Sequence, residues 1–214
     1  PYLSCAVMGG TLIADLGNEE QKGALIPQIM EGAMITAVAY AEQGSRFNPN
    51  NVKTTATAAG DELVLNGAKT NVLGAPNAQT IIVSARESGA ATDAEGISLF
   101  LVDATAPGVS IQSYTTIDGR KAGEVTLADV RVPATARPVS AGGACAVLSA
   151  VIDRATLPLA AEAVGALDSL LPKTAEYSQT RTKFGTPIGI FQALQHPTPH
   201  LFIQCPLPPS IIVP

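Results

Sequence analysis

The spacing of apolar residues changes twice along the chain. Up to about residue 33 it is helical, and residues 2–16 and 19–31 read as helices. In the second, Leu25, Ile26 and Ile29 fall on one face. Asn18 stands where an N-cap belongs and Gln21 follows three residues later, the spacing of a capping box. The Gly9-Gly10 pair weakens the first helix, because glycine loses the most backbone freedom there.

From residue 34 to about 133 the period is two. Strands are predicted at 34–41, 52–59, 62–66, 68–73, 80–86, 97–103, 108–114 and 123–132. Gly60-Asp61 and Asn66-Gly67 occupy places where tight turns belong. Short strands separated by such turn signals predict a small barrel or sandwich. Helical patterning returns at Ala141. Leu148, Val151 and Ile152 share a face, as do Leu159, Ala163 and Leu167, and Tyr177, Arg181 and Phe184 continue through 175–184. Residues 187–195 read as a further helix start. Pro158 and Pro172 are expected to kink or end a helix, each at a cost of about 3 kcal/mol in mid-helix. After His196 no period remains. Residues 196–214 hold six prolines in 19 positions and no Asp, Glu, Lys or Arg, and read as a non-native terminus rather than a Pro-rich ligand.

Composition narrows the classes. Of 214 residues, 46% are hydrophobic, which supports a packed core. Charged residues are 14%, against roughly 25% in an average globular protein, which argues against disorder. The net charge is −5, with 18 acids, 13 bases and no basic cluster, so neither nucleic acid nor an anionic membrane surface is an expected partner. The longest run without Asp, Glu, Lys or Arg, Phe184 to Pro214, carries seven prolines and does not read as a membrane span. No basic segment leads an apolar stretch at the start. The chain opens on Pro1 rather than Met and reads as a piece of something longer. Cys5, Cys145 and Cys205 are far apart, with no CxxC, and read as three buried thiols in a reducing, cytoplasmic setting rather than a disulfide framework or zinc site.

Candidate chemistry is sparse. There is no GxGxxG, P-loop, GxSxG or HExxH. Both histidines, His196 and His200, lie in the terminal stretch, so a hydrolase triad built on an interior histidine is disfavoured. The interior carboxylates cannot be paired from sequence. Read from residue types alone, the chain is a β domain between helices.

Three segments carry a resemblance. They are AVAYAEQGS (37–45), GDELVLNGAKTNVLGAPNAQTIIVSAR (60–86) followed by GISLFLVDATAPGVS (96–110) and EVTLADVRVP (124–133), and RTKFGTPIGIFQALQH (181–196). In this order they resemble the acyl-CoA dehydrogenase family, over about residues 10–196, and are most similar to small-subunit members such as the pimeloyl-CoA dehydrogenase type. The resemblance implies an α+β multidomain fold. Residues 1–33 would end an N-terminal helical domain, and 34–138 would form the middle β-barrel. Residues 139–195 would be the first helices of a truncated C-terminal bundle, and 196–214 the Pro-rich tail.

It also implies FAD as cofactor and an acyl-CoA thioester as substrate. In this family a glutamate takes the α proton while flavin N5 takes the β hydride, and the protein supplies position and hydrogen bonds. An electron-transfer flavoprotein would be the acceptor, and the assembly would be a homo- or hetero-oligomer in which a neighbouring subunit reaches the dinucleotide end. Residue by residue, Tyr40, Ala41, Ser45, Asn71, Val72 and Leu73 map to the flavin-ring end, with Ser45 also toward the substrate. Arg181, Phe184 and Gln192 map to the dinucleotide end, where a guanidinium suits a diphosphate. Glu42 also aligns. Ala41 stands where the family has a threonine that hydrogen-bonds the flavin, Asn71 where it has a tryptophan over the ring, and Leu73 where it has a second threonine. Lys69, after Asn66-Gly67, reads as an exposed hairpin residue.

No catalytic base is identified. The family usually places it beyond the position of His196, or on an earlier helix near Ala155. Asp153 is two residues from Ala155, about 200° away around a helix. The expected function is therefore a fragment of a flavin-dependent acyl-CoA dehydrogenase, inactive alone. The alternatives are a non-catalytic subunit of a hetero-oligomeric dehydrogenase, and a flavin oxidase or monooxygenase of the same fold.

Overall fold

The computed structural model describes residues 2–138 and 142–204. The chain divides into two compact units, Pro1–Arg154 and Ala155–Pro214.

In the first unit the opening helix is wound in two ways. Tyr2–Gly10 is a π-helix that passes directly into an α-helix, α1, Thr11–Leu16. The two glycines that weakened the sequence expectation sit at this junction. Gly9 is also a point of close approach, since a Cβ there would lie 2.1 Å from Thr36 Oγ1. Helix α2, Glu19–Met30, begins with the expected capping box: Gln21 N–H donates to Asn18 Oδ1 at 2.8 Å, and Asn18 N–H donates to Gln21 Oε1 at 3.0 Å. Leu25, Ile26 and Ile29 are half-buried.

Seven strands form one sheet: β1 (Thr36–Ala39), β2 (Thr55–Ala59), β3 (Glu62–Leu73), β4 (Thr80–Arg86), β5 (Ile97–Asp103), β6 (Val109–Thr115) and β7 (Lys121–Pro133). The order is β1-β4-β2-β3-β7-β6, with β5 added to β4. Among the described residues β5 and β6 do not pair with each other, so the sheet is a curled half-barrel rather than the closed barrel expected. Its core is formed by Leu63, Leu65, Ile81, Val83, Phe100, Val102, Val125, Leu127, Val130 and their neighbours.

Two features of this sheet set up the site. First, β5 takes one edge of β4 over its full length, Thr80↔Asp103 to Arg86↔Ile97. Strands β1 and β2 follow one another along the other edge: β1 pairs in parallel from Thr80 to Val83, and β2 joins only at Thr55↔Arg86. Ser84 and Ala85 face the gap between them.

Second, β3 is one continuous strand. The tight turn expected at Asn66-Gly67 does not exist, although the one at Gly60-Asp61 does, with Gly60 at φ 71°. Asn66 and Asp129 exchange hydrogen bonds across the β3–β7 pair, at 3.0 and 2.9 Å. Gly67 serves close packing, because a Cβ there would lie 2.7 Å from Thr54 Cα. The register of β3 on β7 shifts twice, between Leu65 and Gly67 and between Lys69 and Val72. The shifts accompany left-handed residues, Asp129 on β7 and Asn71 on β3, both at φ 52°.

Helix α3, Cys145–Thr180, runs unbroken past Pro158 and Pro172, against the interruption expected there. A proline removes one backbone donor, and 36 residues of ladder absorb two such losses. Leu148 and Val151 on its first turns are buried. Cys5 and Cys145 are buried free thiols, and Cys205 lies outside the described residues.

The second unit contains the rest of α3, a hairpin of β8 (Thr182–Lys183) and β9 (Thr186–Pro187), and two short helices, α4 (Gln192–Gln195) and α5 (Pro197–Gln204). The sequence predicted no element at 197–204. Two prolines in the first turn of a helix remove only donors that have no intrahelical acceptor, which is why α5 tolerates Pro197 and Pro199. Among the described residues no helix is long and apolar enough to cross a membrane, and no cluster of His, Cys, Asp and Glu could hold a metal ion.

Candidate functional site

Among the largest fully buried side chains of the described residues is Lys69, the residue that the sequence placed on an exposed turn. The continuous course of β3 corrects that expectation. Leu63, Leu65, Gly67 and Lys69 alternate onto one side of the strand, and the ammonium is carried inward with them. There it meets Glu42 at 2.7 Å and donates to Ser84 Oγ at 2.9 Å. Lys69 is 0% and Glu42 6% exposed.

The carboxylate of Glu42 gathers more than the lysine. Its Oε1 accepts from Thr54 N–H at 3.0 Å and from Thr54 Oγ1 at 2.7 Å, and its Oε2 accepts from Lys53 N–H at 2.7 Å. Burial pushes the carboxyl up, but the Lys69 charge and these hydrogen bonds outweigh it and hold Glu42 below its ordinary value. Burial acts the opposite way on Lys69, lowering it to about 8 despite the pull of Glu42. The network fills the gap between β1 and β2 beside Ser84.

Around it lie the residues mapped to a flavin ring. Tyr40, Ala41 and Leu73 are half-buried, Val72 is buried and Asn71 is exposed. Burial also raises the Tyr40 phenol. The segments 40–45 and 70–73 are joined directly, since Thr70 N–H donates to Ala41 C=O at 2.8 Å. Ser45 is buried and turned inward. Its hydroxyl donates to Glu42 C=O at 2.8 Å and accepts from Glu42 N–H at 3.0 Å, which closes the 42–45 turn. Asn71 N–H donates to Glu124 Oε1 at 3.3 Å, and Tyr114 Oη lies 3.3 Å from Asn71 Oδ1 and 3.1 Å from Glu124 Oε1.

The second unit brings Arg181, Phe184 and Gln192 onto one short stretch. Arg181 follows α3, is exposed, and has its main chain tied by Ile188 N–H to Arg181 C=O at 2.8 Å. Phe184 and Gly185 form the two-residue turn of the β8–β9 hairpin at φ 55° and 79°, the signature of a type I′ turn. A bulky residue at positive φ is uncommon, and such strain tends to sit at functional positions. The Phe184 ring is 93% exposed and meets Phe191 edge-on at 6.3 Å. Gln192 opens α4 and is exposed. A surface hollow of ≈ 400 Å³ in this unit is lined by Ser178, Gln179, Pro187, Gly189 and Ile190, and by none of the three expected residues.

Residues 37–130 match the sequence model of the acyl-CoA dehydrogenase middle domain, and residues 142–205 match that of the acyl-CoA dehydrogenase C-terminal domain. The chain belongs to the acyl-CoA dehydrogenase family. The second match runs past His196, into the stretch that the sequence set apart. An acyl-CoA dehydrogenase of Mycobacterium tuberculosis, FadE12, is 33% identical over 205 residues, covering 94% of this chain and 52% of that protein. The chain thus spans about half the length of the curated relatives it matches. The crystal structure of an acyl-CoA dehydrogenase from Geobacillus kaustophilus superposes with a TM-score of 0.87 at 27% identity, covering 96% of this chain and 55% of that one. A glutaryl-CoA dehydrogenase from Mycobacterium smegmatis, solved in complex with FADH2, gives a TM-score of 0.87 at 24% identity over 98% of this chain and 53% of its own, and so shares the fold. In this acyl-CoA dehydrogenase sheet the sequence reading brought residues 40–45 and 71–73 into view. It missed the buried network of Glu42, Thr54, Lys69 and Ser84 between them. The inward parity of Lys69 with Leu63 and Leu65 was the signal that could have found it.

Proposed function

We propose that this chain forms part of a flavin-dependent acyl-CoA dehydrogenase that oxidises the α and β carbons of an acyl-CoA thioester. The observation that carries the reading is the join between two segments mapped separately to one end of the cofactor: Thr70 N–H to Ala41 C=O at 2.8 Å, beside the Glu42–Lys69 pair. FAD, when bound, would supply the hydride acceptor. Tyr40, Ala41 and Leu73 offer a partly exposed apolar and aromatic surface suited to a planar ring. The donor set there is poor in hydroxyls, because Ala41 and Leu73 carry none and Ser45 gives its proton to Glu42 C=O. The ring would therefore be held mainly by main-chain groups and packing, and Ser45 would shape the 42–45 turn that flanks the substrate. Arg181, exposed and forked, would serve the diphosphate of a neighbouring subunit's cofactor, with Phe184 and Gln192 beside it.

We assign residues 1–33, 34–138 and 139–195 to the family's N-terminal, middle and C-terminal domains. An acyl-CoA substrate, an electron-transfer flavoprotein as acceptor, a homo- or hetero-oligomeric assembly and a cytoplasmic location complete the reading. The test is titration of the purified chain with FAD, followed by flavin fluorescence, and then anaerobic addition of acyl-CoA esters of several lengths. Stoichiometric FAD is expected, with its visible band left unbleached by any acyl-CoA, because no residue of this chain is identified as the base that takes the α proton; a chain that takes up no FAD overturns the reading. The missing hydroxyl donors favour a second reading, a non-catalytic subunit, and this predicts FAD uptake only after co-expression with a larger partner.

A further inference from the structure

We infer that the buried Glu42–Lys69 pair is a positioning device that fastens the two ring-facing segments, 40–45 and 70–73, to each other across the gap in the sheet. The inference rests on the flavin reading above and deepens it.

The chain leaves β1 at Ala39 and returns to β4 only at Thr55, so 15 residues arch away from the edge of the sheet. Such an arch has no ladder of its own to fix it. Glu42 replaces the ladder. One carboxylate collects the N–H groups of Lys53 and Thr54, where the arch ends, while its own backbone is closed on Ser45, where the arch begins to turn. Lys69 ties that carboxylate to β3 one residue before Thr70, whose N–H holds Ala41 C=O, and Ser84 ties the ammonium to β4. Two independent links, one ionic and one main-chain, thus bind the same pair of segments.

An apolar pair could fill this volume, and buried ion pairs are weak evidence of stabilisation as such. An apolar pair could not accept two backbone N–H groups from the far end of the arch. That requirement explains why a carboxylate is buried here, and the lysine follows as its counter-charge. Thr54 is set by Gly67, where any side chain would meet its backbone at 2.7 Å. The bulge at Asn71 then begins two residues after Lys69, so the pair also fixes where β3 departs from regular register.

The test compares the parent chain with Lys69→Met and with Ser84→Ala, which keeps both charges and removes only one acceptor of the ammonium. Amide hydrogen exchange is measured residue by residue, with and without FAD, at a temperature where far-UV circular dichroism shows each variant folded. Without FAD, exchange at Glu42, Ser45, Lys53, Thr54 and Thr70 is expected to rise at least tenfold in Lys69→Met and severalfold in Ser84→Ala, with amides in β5 and β7 unchanged. With FAD, the dissociation constant is expected to rise at least tenfold in Lys69→Met, with a shifted visible flavin spectrum. If Lys69→Met does not fold, Ser84→Ala decides alone. Unchanged exchange at 40–45 overturns the inference, as does a uniform rise over the whole sheet. A parent chain that binds no FAD overturns the flavin reading, while the exchange arm still judges the positioning role.

Discussion

Lys69 and Arg86 are both buried cations in the sheet unit, the first bonded to Ser84 of β4 and the second borne by β4 two residues further on, and the protein satisfies them by different means. Lys69 is a point charge that meets a carboxylate and one hydroxyl. Among the described residues Arg86 meets no carboxylate. Its guanidinium donates to six main-chain carbonyls, those of Asn50, Val52, Ser88, Ala91, Asp93 and Glu95, at 2.9 to 3.2 Å. A planar fork with five N–H groups can hold two loops at once, which an ammonium cannot. Where a charge is compensated by a charge, the pair is strong and breaking it strands a bare ion. Where it is compensated by dipoles, loss of the cation strands only neutral carbonyls, and exposed loops can turn these to water.

This contrast orders the expected effects. Lys69→Met should cost the most, about 3–5 kcal/mol, because it leaves Glu42 buried without its counter-charge. Urea unfolding with an unchanged slope checks it. Arg86→Met should cost less, about 2–4 kcal/mol, despite breaking more hydrogen bonds, and should loosen 87–96 selectively in hydrogen exchange. A larger loss at Arg86 than at Lys69 would break the comparison.

The pair also has a pH signature. Glu42 is held below its ordinary value in the folded state, so its contribution is complete above about pH 4.3 and is lost as pH falls through the folded value. Lys69 shifts the same way, to about 8, so between there and about pH 10.4 the unfolded chain holds the extra proton and this group's contribution rises with pH. Stability measured against pH should show both limbs, and Glu42→Gln should flatten the acid one. The smallest effect is expected at Arg131–Glu62, a half-exposed pair at 3.2 Å across β3 and β7. Arg131→Ala should change stability by about 0.5 kcal/mol or less, and added salt should erase the difference.

How much of this could be read beforehand differs by element. Strands β4 and β5 were predicted to the residue, since each is an apolar run between turn residues. The Asn18 cap was legible because its two partners are three residues apart. Asn66-Gly67 misled, because the same dipeptide serves a hairpin turn or a crowded crossing, and only Thr54, just before the neighbouring β2, distinguishes them. The Phe184–Gly185 hairpin was read as helix, its Tyr177–Arg181–Phe184 spacing fitting a helical face.

By itself, then, the sequence determined the family and the helix–sheet–helix order, because these are written in local period and contiguous motif, and it proposed the two segments near residues 41 and 72. The tertiary structure alone decided that Lys69 is buried, that Glu42 is its partner 27 positions away, and that Ser45 turns its hydroxyl inward. A charge is buried only where a distant group compensates it, and the distance along the chain between such groups follows from the topology of the sheet.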